Sequence, residues 1–190
     1  MRIKKLIIAF VVLGLNLSSC SKNDDADIIE ILPEYPMKTL MEDGAMELVN
    51  TKVNSPNTHE IGYRFKSFKN GEITALGIRV PDNGSYRVTV WNVDTQEILG
   101  TAYVTSTSGL LSFEDIDPIN IESGTEYFVG INTNDYYIFN DSGNDIFPVE
   151  SNNILVLGYS AQFGANQVLP GNLVTTAYLG MVDVKFVPNN

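Results

Sequence analysis

The sequence predicts an all-β body, a sandwich or barrel of short strands. Three observations carry that prediction. From His59 onward, apolar and polar residues alternate with a period of two, the mark of half-buried strands. The runs are separated by Gly, Pro, Asn and Asp clusters, which punctuate β-structure. No long amphipathic helical pattern interrupts them, so an α/β architecture is not expected.

The N-terminus reads as a lipoprotein leader. Arg2, Lys4 and Lys5 form a positive region, residues 6–15 an apolar one, and Leu17-Ser18-Ser19-Cys20 a lipobox. The apolar run is short of the roughly 20 residues a membrane span needs. Cys20 is the only cysteine. It cannot pair within the chain, and its expected use is to carry the acyl anchor, palmitate included. Residues 1–19 are then a signal peptide and 20–36 a tether. The run Ser21-Lys22-Asn23-Asp24-Asp25-Ala26-Asp27 resembles the signal that exports lipoproteins to the surface of some glycan-foraging Gram-negative bacteria, although a plain solvated tether reads the same way. The expected address is the outer membrane, facing the cell exterior.

The body is expected over residues 37–190. Residues 28–32 are apolar enough to dock as an edge strand, before Pro33 and Pro36. Residues 37–50 fit two readings: Met37, Leu40 and Met41 fall at helical spacing, Gly44 interrupts, and 45–49 suit a strand equally well. Residues 54–58 form a loop around Pro56. Ile61, Tyr63 and Phe65 then mark a strand, and Asn70-Gly71 predicts a tight hairpin. Thr74, Leu76, Ile78 and Val80 alternate along the next strand, which 81–84 terminates. Tyr86, Val88 and Val90 share one face of a third strand; Arg87, Thr89, Trp91 and Val93 share the other, with Trp91 assigned to the core. Residues 94–97 turn the chain into a strand at 98–105. Short strands follow at 110–113 and 119–121. Ser123-Gly124 turns into Tyr127, Val129 and Ile131, and residues 136–139 form another short strand. Residues 154–162 and 178–187 close the body, with a Gly/Pro-marked excursion at 164–172 between them.

Charge excludes several function classes. Three of the twelve basic residues and none of the 23 acidic ones lie in residues 1–19, so the remaining 171 residues carry a formal charge of −14. Phosphate would be repelled, which removes nucleic acid as a partner. Thiolate-based zinc or iron–sulfur sites are excluded by the lack of any cysteine besides Cys20.

Several stretches resemble an uncharacterised family, domain of unknown function 4082. They are Ile61-Gly62-Tyr63-Arg64-Phe65 with Gly71-Glu72-Ile73-Thr74-Ala75-Leu76-Gly77, and Gly84-Ser85-Tyr86-Arg87-Val88-Thr89-Val90-Trp91, where Val90 replaces the family's leucine. Ile121-Glu122-Ser123-Gly124-Thr125-Glu126-Tyr127-Phe128-Val129 and Val182-Asp183-Val184-Lys185-Phe186 continue the likeness over residues 59–187. The resemblance implies an antiparallel, jelly-roll-like β-sandwich found beside carbohydrate-active or cell-surface modules. It brings no catalytic residues with it.

The search for chemistry yields little that resembles an enzyme. His59 is the only histidine, and no Gly-x-Ser-x-Gly elbow, P-loop or His-Glu-x-x-His pattern accompanies it. Glu114, Asp115, Asp117, Glu122 and Glu126 cluster, yet nothing in their spacing selects an acid pair for glycoside hydrolysis; a solvated acidic face explains them. Asn132, Asn134, Asp135, Asn140, Asp141, Asn144 and Asp145 offer hard oxygens. Asn134, Asp135, Asp141, Asn144 and Asp145 are the candidate ligands of a structural calcium, with plain turns as the alternative. Tyr136, Tyr137 and Phe139 are candidates for a sugar-stacking platform, with Tyr159 and Phe163 as weaker candidates on a neighbouring loop edge. The expectation is a non-enzymatic, lipid-anchored envelope protein that binds glycan or another extracellular ligand. The alternatives are a structural or adhesion component engaging a protein through an edge strand, and more remotely a glycosidase.

Overall fold

The structure, a computed structural model, describes residues 31–140 and 144–190. The leader, Cys20, the acidic run and Asp141 lie outside the described residues.

Residues 37–50 form both of the elements their pattern allowed. Helix α1 (Pro36–Glu42) starts on a proline, whose fixed φ and missing N–H suit a first turn. It ends in a reciprocal cap: Gly44 at φ +72° donates to the Met41 carbonyl, and Ala45 to that of Leu40. Only glycine adopts this left-handed geometry without cost. Strand β1 (Glu47–Lys52) follows. The chain is tied into the body before α1, since Glu34 exchanges both backbone hydrogen bonds with Phe186.

The remaining elements are all strands: β2 (His59–Ser67), β3 (Gly71–Ile78), β4 (Gly84–Asn92), β5 (Ile98–Ser106), β6 (Ser112–Ile121), β7 (Glu126–Thr133), β8 (Tyr136–Asn140), β9 (Val149–Ser151), β10 (Ile154–Phe163), β11 (Ala177–Gly180) and β12 (Val182–Pro188). A six-stranded sheet runs β5-β4-β7-β2-β10-β9, and two three-stranded sheets run β12-β3-β6 and β1-β8-β11. Every pairing is antiparallel. Tyr63, Phe65, Val88, Val90, Val129 and Ile131 of the large sheet share one core with Ile73, Leu76, Ile78, Val184 and Phe186 of one small sheet and with Phe139 and Tyr178 of the other. The all-β body expected from the alternation is thus an antiparallel β-sandwich, as the family resemblance implies. Trp91 is buried as expected, on the opposite face from Val90, where it packs on Phe128 with centroids 5.4 Å apart.

Three local expectations change. Asn70-Gly71 does not close a hairpin: β2 and β3 belong to different sheets, and the turn carries the chain across the core. Gly71 is needed because a Cβ there would stand 2.6 Å from the Phe186 ring. Residues 112–113 of the first expected short strand and all of 119–121 lie along one ten-residue strand, β6, while 110 and 111 precede it. It continues through Pro118 because it pairs only with β3 and slips register opposite Ile73 and Ala75, and an edge strand with a bulge tolerates a proline. Residues 178–187 divide at Met181 into β11 and β12, which join different sheets.

The excursion at 164–172 is a strap across the outer face of the six-stranded sheet. Arg64 donates to the Pro170 carbonyl at 2.9 Å, Asn132 to that of Gly164 at 3.1 Å, and Gln167 to the hydroxyls of Thr89 and Thr101 at 2.9 and 2.8 Å. Ser160 bonds the Asn172 carbonyl.

Candidate functional site

Arg79, one residue past β3, organises an open groove. Its backbone N–H donates to the Met181 carbonyl at 2.9 Å, and its Nε to the Gly109 carbonyl at 2.8 Å. Gly109 is presented by a tight loop: it stands at φ +74° and donates its own N–H to the Val80 carbonyl at 2.8 Å. The guanidinium, held by Nε, lies 5.6 Å from the centroid of the Tyr137 ring, within cation–π range. Among the described residues neither of its terminal NH2 groups has a hydrogen-bond partner, and the Tyr137 hydroxyl has none either.

Two adjoining hollows share Arg79 and Met41. One, about 270 Å³, is completed by Met46, Leu48, Tyr137 and Phe139. The other, about 200 Å³, is completed by Lys38, Glu42, Gly109, Leu110, Leu111 and Met181. Apolar walls with a few fixed polar groups are the usual composition of a small-ligand site. Methionines make such walls adaptable. Lys38 is paired with Glu42 at 3.7 Å on the exposed face of α1, which leaves Arg79 as the cation of the groove without an anionic partner among the described residues.

The four aromatic candidates divide between two sides of β8. Tyr137 and Phe139 alternate onto one face, 6.2 Å apart. Tyr137 is half-buried and lines the groove, whereas Phe139 is 6% exposed and stacks on Tyr178 at 6.1 Å. Tyr136 points the other way, 8% exposed, with its ring 5.7 Å from that of His59. Tyr159 is half-buried on Tyr136's side, its hydroxyl pushed to a higher pKa by burial and secondarily by Tyr136. These rings therefore do not form one exposed platform, because β8 is the central strand of its sheet, between β1 and β11. Tyr137 alone of the four meets the groove with an accessible polar end. Phe163 is largely exposed and sits 4.4 Å from His59; burial lowers the His59 pKa.

The candidate calcium ligands are held apart by the same strand. Asp135 precedes β8 and is buried, its two oxygens accepting from the Asn54 N–H at 2.6 Å and the Tyr86 hydroxyl at 2.8 Å. Asn134 bonds the Ser55 carbonyl at 3.2 Å. Asp145 and Asn144 follow β8, at roughly 3.3 Å of rise per residue from the other pair, and Asp145 accepts from Thr175 at 2.7 Å. Among the described residues no group of three or more His, Cys, Asp or Glu side chains is close enough to hold a metal.

The acidic cluster also separates. Glu114, Asp115 and Asp117 line a groove between β5 and β6, and Glu126 faces Arg64 at 3.2 Å and Lys66 at 3.8 Å. Glu60, which the sequence reading passed over, is the most enclosed carboxylate on the outer face of the large sheet. Its side chain is 1% exposed and meets Arg87 at 2.8 Å, with Asn132 at 3.2 Å. Burial raises its pKa, against the opposing hydrogen bond and charge of Arg87. Arg87 also reaches the Ala165 carbonyl, so the pair is sealed beneath the strap. The only sequence signal was a charge at an outward position of a strand otherwise bearing Gly62, Arg64 and Lys66. Arg79 had a comparable signal, an outward residue between Ile78 and Val80.

Fold and groove define an antiparallel β-sandwich domain with an open side-chain cleft where α1, β1, β3 and β8 meet. A family model described as domain of unknown function DUF4082 matches residues 47–176, more than half the chain, and the chain belongs to that family. The match runs from β1 to the residue before β11, so α1 and the Val182–Phe186 likeness lie beyond it. No curated protein matches the chain.

Proposed function

We propose that this chain is a non-enzymatic binding module, moored to the outer membrane through acylated Cys20 and presented to the cell exterior, that holds glycan in the groove around Arg79 and Tyr137. One observation carries the reading: a guanidinium held through its Nε stands over a tyrosine ring beside an apolar wall, and among the described residues neither its NH2 groups nor the tyrosine hydroxyl has a hydrogen-bond partner. A sugar ring is recognised by this combination, an apolar face against flat or apolar side chains and hydroxyls against fixed donors. Arginine adds a preference for sugars bearing a carboxylate or sulfate, because its planar fork matches them.

The test is calorimetric titration of the chain from Ser21 with neutral and acidic oligosaccharides, alongside Arg79→Ala and Tyr137→Phe. Saturable binding that Arg79→Ala weakens about tenfold or more, with an unchanged melting temperature, supports the reading. Binding indifferent to both variants, or no binding to any oligosaccharide, overturns it.

A further inference from the structure

Sheet edges are templates for strand addition, and folded proteins normally blunt them. Here the described edges are blunted, β5 least of all. β9 has three residues and β11 four. β1 is broken by a register shift between Leu48 and Asn50 and bears Glu47 and Lys52 at its ends. β12 is covered by Glu34 through its pairing with Phe186. β6 carries Pro118, which has no N–H to offer, together with a register shift and three acids. β5 is the least protected: its one irregularity is a register shift at its first residues, opposite Val90 and Trp91, and from Gly100 to Ser106 its pairing is regular. It is nine residues long, Ile98-Leu99-Gly100-Thr101-Ala102-Tyr103-Val104-Thr105-Ser106, with neither charge nor proline, and it pairs with β4 alone.

Beside that edge lies a groove of about 430 Å³. β6 runs along its far side without pairing to β5. Leu99, Ala102, Ile116 and Ile119 supply apolar surface; Glu114, Asp115 and Asp117 supply an acidic wall. Gly100 lets β6 approach, since a Cβ there would stand 2.6 Å from the Ile119 side chain. In an antiparallel edge strand every second residue turns both its N–H and its C=O away from the partner. The edge thus offers an unused ladder along an acidic trough.

We propose that β5 is a docking edge that captures an extended segment of another protein by strand addition, and that the segment alternates apolar with Lys or Arg residues. Alternation follows from the pleat: one set of side chains falls on the apolar floor, the other faces outward within reach of the acids. Charge selects the partner over a second copy of this chain. Pairing two β5 edges would bring two sets of Glu114, Asp115 and Asp117 to one seam, between bodies each carrying −14 without their leader, and like charges so placed repel.

The test uses the chain from Ser21 and a capped hexapeptide of alternating Val and Lys. Expected are saturable binding that weakens with salt and amide shifts in nuclear magnetic resonance confined to β5 and the facing part of β6. The Val/Glu counterpart should not bind. A peptide N-methylated at alternate residues keeps its charge but loses ladder donors, and should bind about tenfold more weakly. The exposed triple variant Glu114→Lys, Asp115→Lys, Asp117→Lys should reverse the preference toward Val/Glu. Undiminished binding of the N-methylated peptide, shifts elsewhere, or dimerisation through β5 without peptide would each overturn the proposal. These outcomes leave the Arg79 groove untouched.

Discussion

The carboxylate of Asp183 accepts the backbone N–H of Met37 at 3.1 Å, across 146 residues of chain. Its second oxygen accepts from Lys38 at 2.9 Å, and the first also from Val184. An α-helix begins with N–H groups that have no partner inside it, and no side chain at Tyr35 caps α1. A buried acid on β12 does so instead, fixing the helix that forms one wall of the groove.

This contact makes stability pH-dependent. Burial pushes the Asp183 pKa up from its ordinary 3.8 to about 7, against the three N–H donors that favour the ionised form. Its folded-state pKa therefore exceeds the unfolded one, so the folded state binds the proton more tightly. Its contribution is full below about pH 4 and is lost as pH rises toward 7. Denaturant midpoints between pH 4 and 8 should show this slope in the native chain and lose it in Asp183→Asn. Asp183→Ala, which orphans three donors, should cost about 2–4 kcal/mol. A slope unchanged in Asp183→Asn would refute the assignment.

Gly62 should be irreplaceable. A Cβ there would sit 1.8 Å from the Val129 carbonyl oxygen, within the central β2–β7 pairing where Gly62 faces Gly130. No side chain can give way, because the obstacle is backbone. Gly62→Ala should lose more than about 3 kcal/mol, seen as a sharply lowered melting temperature or loss of soluble protein.

Neighbouring tyrosines should behave oppositely. Tyr136 is 8% exposed, and Tyr136→Ala should destabilise by about 3 kcal/mol through cavity formation. Tyr137 is half-buried in the groove wall, so Tyr137→Ala should affect oligosaccharide titration more than the melting temperature. Melting temperatures unchanged from the native chain in both variants would place both rings outside the core.

On the proposed anchoring, Cys20→Ser should move the protein from the detergent-extractable membrane fraction to the soluble fraction, since the acyl chain would supply the membrane affinity through about 0.8 kcal/mol per buried methylene. Retention in the membrane fraction would defeat the anchor.

Alternation in β2, β4 and β7 was legible because each strand presents a core face and an outer face, and period two follows directly from the pleat. Asn70-Gly71 was misleading for a related reason: turn chemistry reports a change of direction, not which sheet receives the next strand. The aromatic pair illustrates the same limit. Adjacency alone required Tyr136 and Tyr137 to face apart, while the burial of Tyr136 depends on His59 and that of Phe139 on Tyr178.

The sequence by itself determined the fold class, the acidic balance and the phase of the central strands, because these rest on local composition and a two-residue repeat. Only the tertiary structure decided that Arg79, Met41 and Tyr137 share a groove, that Asp183 caps a helix at the other end of the chain, and that β5 lies at a sheet edge paired with β4 alone. Each of those depends on contacts between elements dozens of residues apart, whose closure is set by the packing of the whole core rather than by any stretch of chain.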